Sequence, residues 1–190
     1  MRALTLLALL SAIVGCGAIA GCGGHDARAL WRDDLESECA GAPCGWTQIA
    51  GPAGAATYIE TVPSEHGISL VGAGIAVSRA AEGDELLGST DTVRSLRAHV
   101  VARCDPGSEL TLIVTVTGVT TGAAIDVSGS ATVPSEWDGA RSMFPLFPDD
   151  TTDVNEVFSD ITNVVIHKSG PGACEVDYIS LADSRVGFSE

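Results

Sequence analysis

The residues that could do chemistry in this chain are four histidines, 25 Asp and Glu, six cysteines and many hydroxyls. Hydrolysis by a nucleophile would need a Ser or Cys set against a His. No Gly-x-Ser-x-Gly elbow or Cys-His grouping is present. His25 lies near the amino terminus, His66 precedes a glycine, and His99 and His167 fall on extended segments. Adjacent carboxylates such as Asp33 and Asp34 are the type used for acid-base work, but among so many acidic residues such a pair arises by chance. Gly72-Ala73-Gly74 lacks the third glycine and following helix of a dinucleotide site. The run from Asp149 to Glu156 has the oxygen density of a calcium loop. Val154, however, stands where the sharp turn needs Gly, and the twelfth position is Asp160 instead of Glu. A solvated acidic loop is expected there. This inventory argues against an enzyme.

The elements that must position these residues are strands. Residues 96–103 place Leu96, Ala98, Val100 and Ala102 on one side and Arg97, His99, Val101 and Arg103 on the other, the period of a half-buried strand. After Asp105-Pro106-Gly107-Ser108, Leu110, Leu112, Val114 and Val116 alternate with Thr111, Ile113, Thr115 and Thr117, so a hairpin through a Pro-Gly turn is expected. Further strands are predicted at Trp46–Ala50, Thr57–Val62, Ile68–Val71, Ile75–Arg79, Ile125–Val133, Val164–Lys168 and Cys174–Leu181. A helical turn is expected only within 82–95, with one more short piece at Val154–Ser159 in the acidic connection. Eight or more short strands in 190 residues predict one all-β domain, a sandwich or barrel. The 45% apolar content supports a packed core, and a net charge of -15 opposes both nucleic acid and an anionic membrane surface.

Residues 1–22 read as an address. Met1-Arg2, an apolar run from Ala3 to Val14 and small residues ending at Cys22 describe a secretory signal. The segment resembles the bacterial lipoprotein class, in which cleavage falls before a Cys that then carries lipid. Two boxes match, Ile13-Val14-Gly15-Cys16 and Ile19-Ala20-Gly21-Cys22. Anchoring through Cys16 leaves an odd number of cysteines, and anchoring through Cys22 leaves four that can all pair. Cys22 is therefore the expected lipid attachment, with Cys16 the alternative, residues 1–21 the signal and 22–29 a short tether. The competing reading is an uncleaved membrane helix. Gly15, Gly17, Gly21 and the sparse flanking positive charge count against it. Gly23 rather than Asp follows Cys22, which resembles outer-membrane sorting, so a bacterial cell-envelope location in the outer membrane is expected.

Across 30–185 the order of residues resembles the galactose-binding-like jelly rolls, in particular carbohydrate-binding modules. The resemblance rests on Asp34-Leu35-Glu36 as an opening strand, Gly45-Trp46-Thr47, His66-Gly67-Ile68-Ser69-Leu70, Ala98 to Arg103, Trp137 opening a later strand, and Val176-Asp177-Tyr178-Ile179-Ser180-Leu181. It implies a jelly-roll β-sandwich of about eight or more antiparallel strands. It also makes the strand ending at Cys104 an antiparallel neighbour of the strand beginning at Cys174, which implies a Cys104–Cys174 disulfide. Cys39 and Cys44, with four residues between them, suit a local bridge, and the absence of Cys-x2-Cys spacing disfavours zinc. The resemblance further implies a structural calcium, its ligands Glu36 and Asp177 together with main-chain carbonyls. The alternative is that both are surface carboxylates or partners of Arg32 and Arg103. No other cofactor is expected.

Saccharide binding usually calls on aromatic platforms. Trp46 and Trp137 are expected in the core, which leaves Trp31, Phe144 and Phe147 as candidates for exposure, although a packed rim is the expected account of them. The expected function is that of a non-catalytic, lipid-anchored envelope protein whose partner is a saccharide. The alternative is a structural lipoprotein that contacts another envelope protein.

Overall fold

The computed structural model describes residues 30–62, 65–81, 93–137, 141–148 and 156–183. Among these described residues, thirteen strands run in chain order. They are β1 (Trp31–Asp33), β2 (Glu38–Cys39), β3 (Ala42–Pro43), β4 (Trp46–Ala50), β5 (Ala56–Val62), β6 (Glu65–Val71), β7 (Ile75–Ala80), β8 (Leu96–Cys104), β9 (Glu109–Gly118), β10 (Ala124–Ala131), β11 (Arg141–Pro148), β12 (Phe158–Ser169) and β13 (Ala173–Asp183). Hydrogen bonding follows the order β4-β7-β12-β9-β10-β11-β8-β13-β6-β5, with β1 added beside β13 and β2–β3 a separate ribbon. All pairings are antiparallel. The path folds into two layers of five strands joined where Val127 and Ser128 of β10 meet Pro148 and Phe147 of β11.

Strict alternation makes the sandwich. Leu96, Ala98, Val100 and Ala102 of β8 and Leu110, Leu112, Val114 and Val116 of β9 are all buried, while the residues between them are partly exposed. Each strand thus has one face for the core and one for solvent. The layers meet face to face: Val100, Val176 and Ile179 of one line the same small void, about 10 Å³, as Leu110, Leu112 and Ile166 of the other.

The expected β8–β9 hairpin does not form. β8 pairs with β11 and β13, and β9 pairs with β10 and β12. Residues 105–108, closed by Ser108 N–H on the Asp105 carbonyl at 3.1 Å, carry the chain from one layer to the other. Two adjacent runs that each bury one face satisfy a hairpin or a layer crossing equally well, and only the partners decide between them.

Three further differences have local causes. The opening strand is β1, not Asp34-Leu35-Glu36: Leu35 takes φ 57°, outside the β region. Phe158 and Ser159 begin β12 rather than end a helical piece, because Phe158 is buried and ladders with Gly118. Trp137 lies in a bend and is half-buried, with β11 starting at Arg141. β11 escaped sequence reading because Pro145 and Pro148 interrupt it. It runs along the seam, where a missing N–H is tolerated. The expected helical turn lies outside the described residues save for 93–95, which hold one β-bridge, Val93 to Phe158.

Gly67 on β6 shows how tightly the terminal layer is drawn. A Cβ there would stand 2.1 Å from the Val176 carbonyl oxygen of β13, so only glycine allows this approach.

Candidate functional site

The cysteines fall where expected. Cys39 and Cys44 are bonded at 2.07 Å across the β2–β3 ribbon. Cys104 and Cys174, directly opposite in the β8–β13 ladder with Cα atoms 4.1 Å apart, are bonded at 2.01 Å. Cys16, Cys22, the signal and the tether lie outside the described residues, as does most of the acidic run. Its end is placed: Glu156 is buried and accepts the Thr120 N–H at 2.8 Å, and Asp160 is part of β12.

Glu36 sits in the exposed irregular segment after β1. Its carboxylate accepts the His66 main-chain N–H at 3.1 Å and stands 3.4 Å from His66 Nδ1. Its carbonyl accepts the Tyr58 hydroxyl at 2.7 Å, and the Tyr58 ring stacks on His66, centroids 5.0 Å apart. Asp177 projects at a register shift in β13 and accepts a hydrogen bond from Thr61. Burial pushes its carboxyl above the usual range, the Thr61 hydrogen bond opposes this, and Glu65, Glu36 and Asp34 push it further up. Arg103 pairs with Glu175 at 2.7 Å rather than with either candidate. Among the described residues, no group of three or more His, Cys, Asp and Glu is arranged around a metal. The two carboxylates are nonetheless of the hard oxygen type that calcium takes, as are main-chain carbonyls.

Two polar groups lie inside the sandwich ends: the sequence offered Asp33 only as one of a chance carboxylate pair with Asp34, and did not single out Lys168. Asp33 points inward beside Trp31 and accepts hydrogen bonds from Trp46 Nε1 at 2.7 Å, from Leu35 N–H at 2.9 Å and from Arg79. Arg79 also lies over the Trp31 ring at 5.8 Å. Lys168 follows Val164 and Ile166 on the inward side of β12 and is fully buried. Their strand parity was the available signal, since both fall in phase with core residues.

The aromatic expectations divide. Trp46 is in the core, and so are Trp31 and Phe144. Trp137 packs under Arg103 at 5.3 Å, and Phe147 is 65% exposed on β11.

The broadest candidate surface is the solvent face of β4-β7-β12-β9-β10. Cross-strand register sets its residues in rows. One row runs Thr47, Ser78, Val165, Ile113 and Ser128, and continues to Phe147 at the seam. The rows beside it carry Asn163, Thr115 and Asp126 on one side and His167, Thr111 and Ser130 on the other. Neighbours are hydrogen bonded to each other, each at 2.7 Å: Ser78 to Asn163, Thr115 to Asp126, and Thr111 to Ser130. In a chain carrying -15, these three rows hold one carboxylate, Asp126. The face offers paired hydroxyl and amide groups around an aliphatic strip, Ile113 and Val165. Such a surface can hydrogen bond a polyhydroxylated ligand while packing against its C–H faces.

No protein-family model and no curated protein matches the chain. Solved structures do. One is the N-terminal endo-1,4-β-D-xylanase 10B of Clostridium thermocellum, its CBM22-1-GH10 modules complexed with xylohexaose. It is 14% identical, with 84% of this chain and 29% of that one covered and a TM-score of 0.51. The chain therefore spans less than a third of that structure. Another is the family 11 carbohydrate-binding module of Clostridium thermocellum in complex with a β-1,3-1,4-mixed-linked tetrasaccharide (13% identity, 79% and 92% covered, TM-score 0.43). A third is the CBM22-1 xylan-binding domain of Paenibacillus barcinonensis Xyn10C (10%, 81% and 93%, TM-score 0.45). The shared feature is the fold: this domain is a jelly-roll β-sandwich of antiparallel strands.

Proposed function

We propose that this chain is a non-catalytic saccharide-binding protein of the bacterial cell envelope, held at the outer membrane by lipid on Cys22, with Cys16 the alternative anchor. The observation that carries the saccharide reading is the solvent face of β4-β7-β12-β9-β10, with its hydrogen-bonded hydroxyl and amide pairs around Ile113 and Val165. The fold shared with a xylanase that contains a carbohydrate-binding module adds support. A glycan array probed with the purified chain tests it. Binding to neutral β-linked oligosaccharides is expected, lost in Ile113→Arg, with no shortening of the bound chains. Uniformly negative arrays reject the saccharide reading. Mass spectrometry of the mature amino terminus tests the anchor: a diacylated or triacylated Cys22 is expected, and an unmodified Met1 rejects it.

Glu36 and Asp177 are proposed to hold a structural calcium with nearby carbonyls, where it would offset the like charges of Asp34 and Glu65 and tie the segment after β1 to β13.

A second reading, a structural lipoprotein that contacts another envelope protein, is favoured by Met143 and Phe147. They are 58% and 65% exposed on the same side of β11. Pull-down of one defined envelope protein, lost in a Met143→Ser, Phe147→Ser double variant, would establish it.

A further inference from the structure

Apart from the sheet face, a cavity of about 260 Å³ opens at one end of the sandwich, between the disulfide-closed β2–β3 ribbon and the ends of β1 and β7. Arg32, Asp34, Ser37 and Arg79 line it, and its walls are mostly polar. At about 30 Å³ per water it has room for roughly nine waters. That suits one substituted ring and is smaller than the pockets, about 300–1,000 Å³, that take drug-sized molecules.

The walls are pre-set by the fold. Asp33 is 9% exposed and holds Arg79 in place, while Trp46 and the Leu35 N–H hold Asp33. Gly45, at φ 82°, leaves space along the Arg79 side chain, where a Cβ would stand 3.3 Å from Nε. The charge of Asp33 is thus spent inside the protein. Arg32 is exposed on β1 and, among the described residues, makes no ion pair. Asp34, which lines the cavity, accepts the Glu36 N–H through one oxygen at 3.3 Å and, as a carboxylate, keeps further acceptor capacity.

This combination selects a ligand. Guanidinium groups only donate, and a carboxylate only accepts. A multiply charged anion such as phosphate would be favoured by Arg32 and opposed by Asp34. A neutral sugar would satisfy Asp34 through a hydroxyl but leave the Arg32 fork without its preferred planar acceptor. A ring that bears both a carboxylate and neighbouring hydroxyls satisfies both. We propose that this cavity binds a uronic acid residue of an acidic polysaccharide, its carboxylate on Arg32 and a ring hydroxyl on Asp34. With a net charge of -15 the chain repels polyuronates in general, so retention of one requires a specific site.

The test is calorimetric titration of the full chain with trigalacturonate and with its methyl ester, which keeps every ring hydroxyl and removes the charge. The acid is expected to bind and the ester to bind about tenfold or more weakly, the size of a lost charge-assisted hydrogen bond. Arg32→Gln should bring the acid down to the ester's affinity, and Arg32→Lys should recover part of the loss; Arg32 is exposed, so neither should unfold the chain. Ile113→Arg should leave uronate binding unchanged, which separates this site from the sheet face. Equal affinity for acid and ester, an unaffected Arg32→Gln, loss of uronate binding in Ile113→Arg, or equal competition by inorganic phosphate would each overturn the proposal.

Discussion

The Lys168 ammonium donates to the Gly72 carbonyl at 2.6 Å, and Lys168 is the chain's only lysine. It also donates to the carbonyls of Gly170 at 2.9 Å and Pro171 at 3.4 Å, so one fully buried cation gathers two loops at a sandwich end. Burial pushes its pKa down from 10.5, and Asp105 opposes the shift. Lys168→Met, which removes the donor from those carbonyls, is expected to cost about 2–4 kcal/mol in urea unfolding.

The same shift fixes a pH dependence. In the interval just below 10.5 the folded chain has released a proton that the unfolded chain still holds. Unfolding there takes up a proton, so stability rises with pH. Urea midpoints measured in steps through that interval should show the parent gaining on Lys168→Met. A constant or falling difference would contradict the assignment.

Asp33 and Arg79 give a second expectation. Arg79→Met leaves a buried carboxylate with the Trp46 indole and one main-chain N–H as its partners. Breaking a fully buried pair costs about 3–5 kcal/mol. The Arg79 side chain is 28% exposed, so about 2–3 is expected. Asp33→Asn added to Arg79→Met should restore part of this, measured by the same unfolding curves.

How much of this was legible beforehand depended on whether a feature is local. The predicted segments of β4, β5, β6, β7, β8, β9, β12 and β13 all lie within strands of the structure, and that of β10 runs two residues past it, because period-2 alternation and Gly or Pro punctuation are written in each segment. The Cys104–Cys174 pair followed from the resemblance, which supplied the neighbouring strands. The β8–β9 crossing, by contrast, depends on the partners of β8, which lie 40 to 87 residues further along the chain, such as Cys174 opposite Cys104. The sheet face was hidden for the same reason. Thr111, Thr115, Asn163 and Ser130 are unremarkable polar positions on their own strands and form a surface only once register aligns them. The cavity required Arg79 of β7 to meet Asp33 of β1, 46 residues apart.

The two disulfides should differ in worth. Cys104–Cys174 spans 70 residues and Cys39–Cys44 spans 5. On loop-closure entropy, replacing the first pair with Ala should cost about 4 kcal/mol and the second about 2. Because the second closes the ribbon beside the cavity that Cys44 lines, its removal should weaken trigalacturonate binding more than it lowers stability. Thermal melts and titration of the Cys39→Ala, Cys44→Ala variant report the two effects separately.

The proposed calcium makes the last expectation. An ion that binds only the folded chain stabilises it by about 2.7 kcal/mol at a concentration one hundred times its Kd. For a domain of this size that raises Tm by about 5–10 °C. The rise should vanish on adding chelator, and it should be absent in Glu36→Gln with Asp177→Asn. Removing those charges also relieves the repulsion among Asp34, Glu36, Glu65 and Asp177. The double variant should therefore melt above the chelated parent at neutral pH and below the calcium-loaded one. A parent whose Tm is the same with calcium and with chelator rules the ion out and leaves Glu36 and Asp177 as hydrogen-bond acceptors for His66 and Thr61.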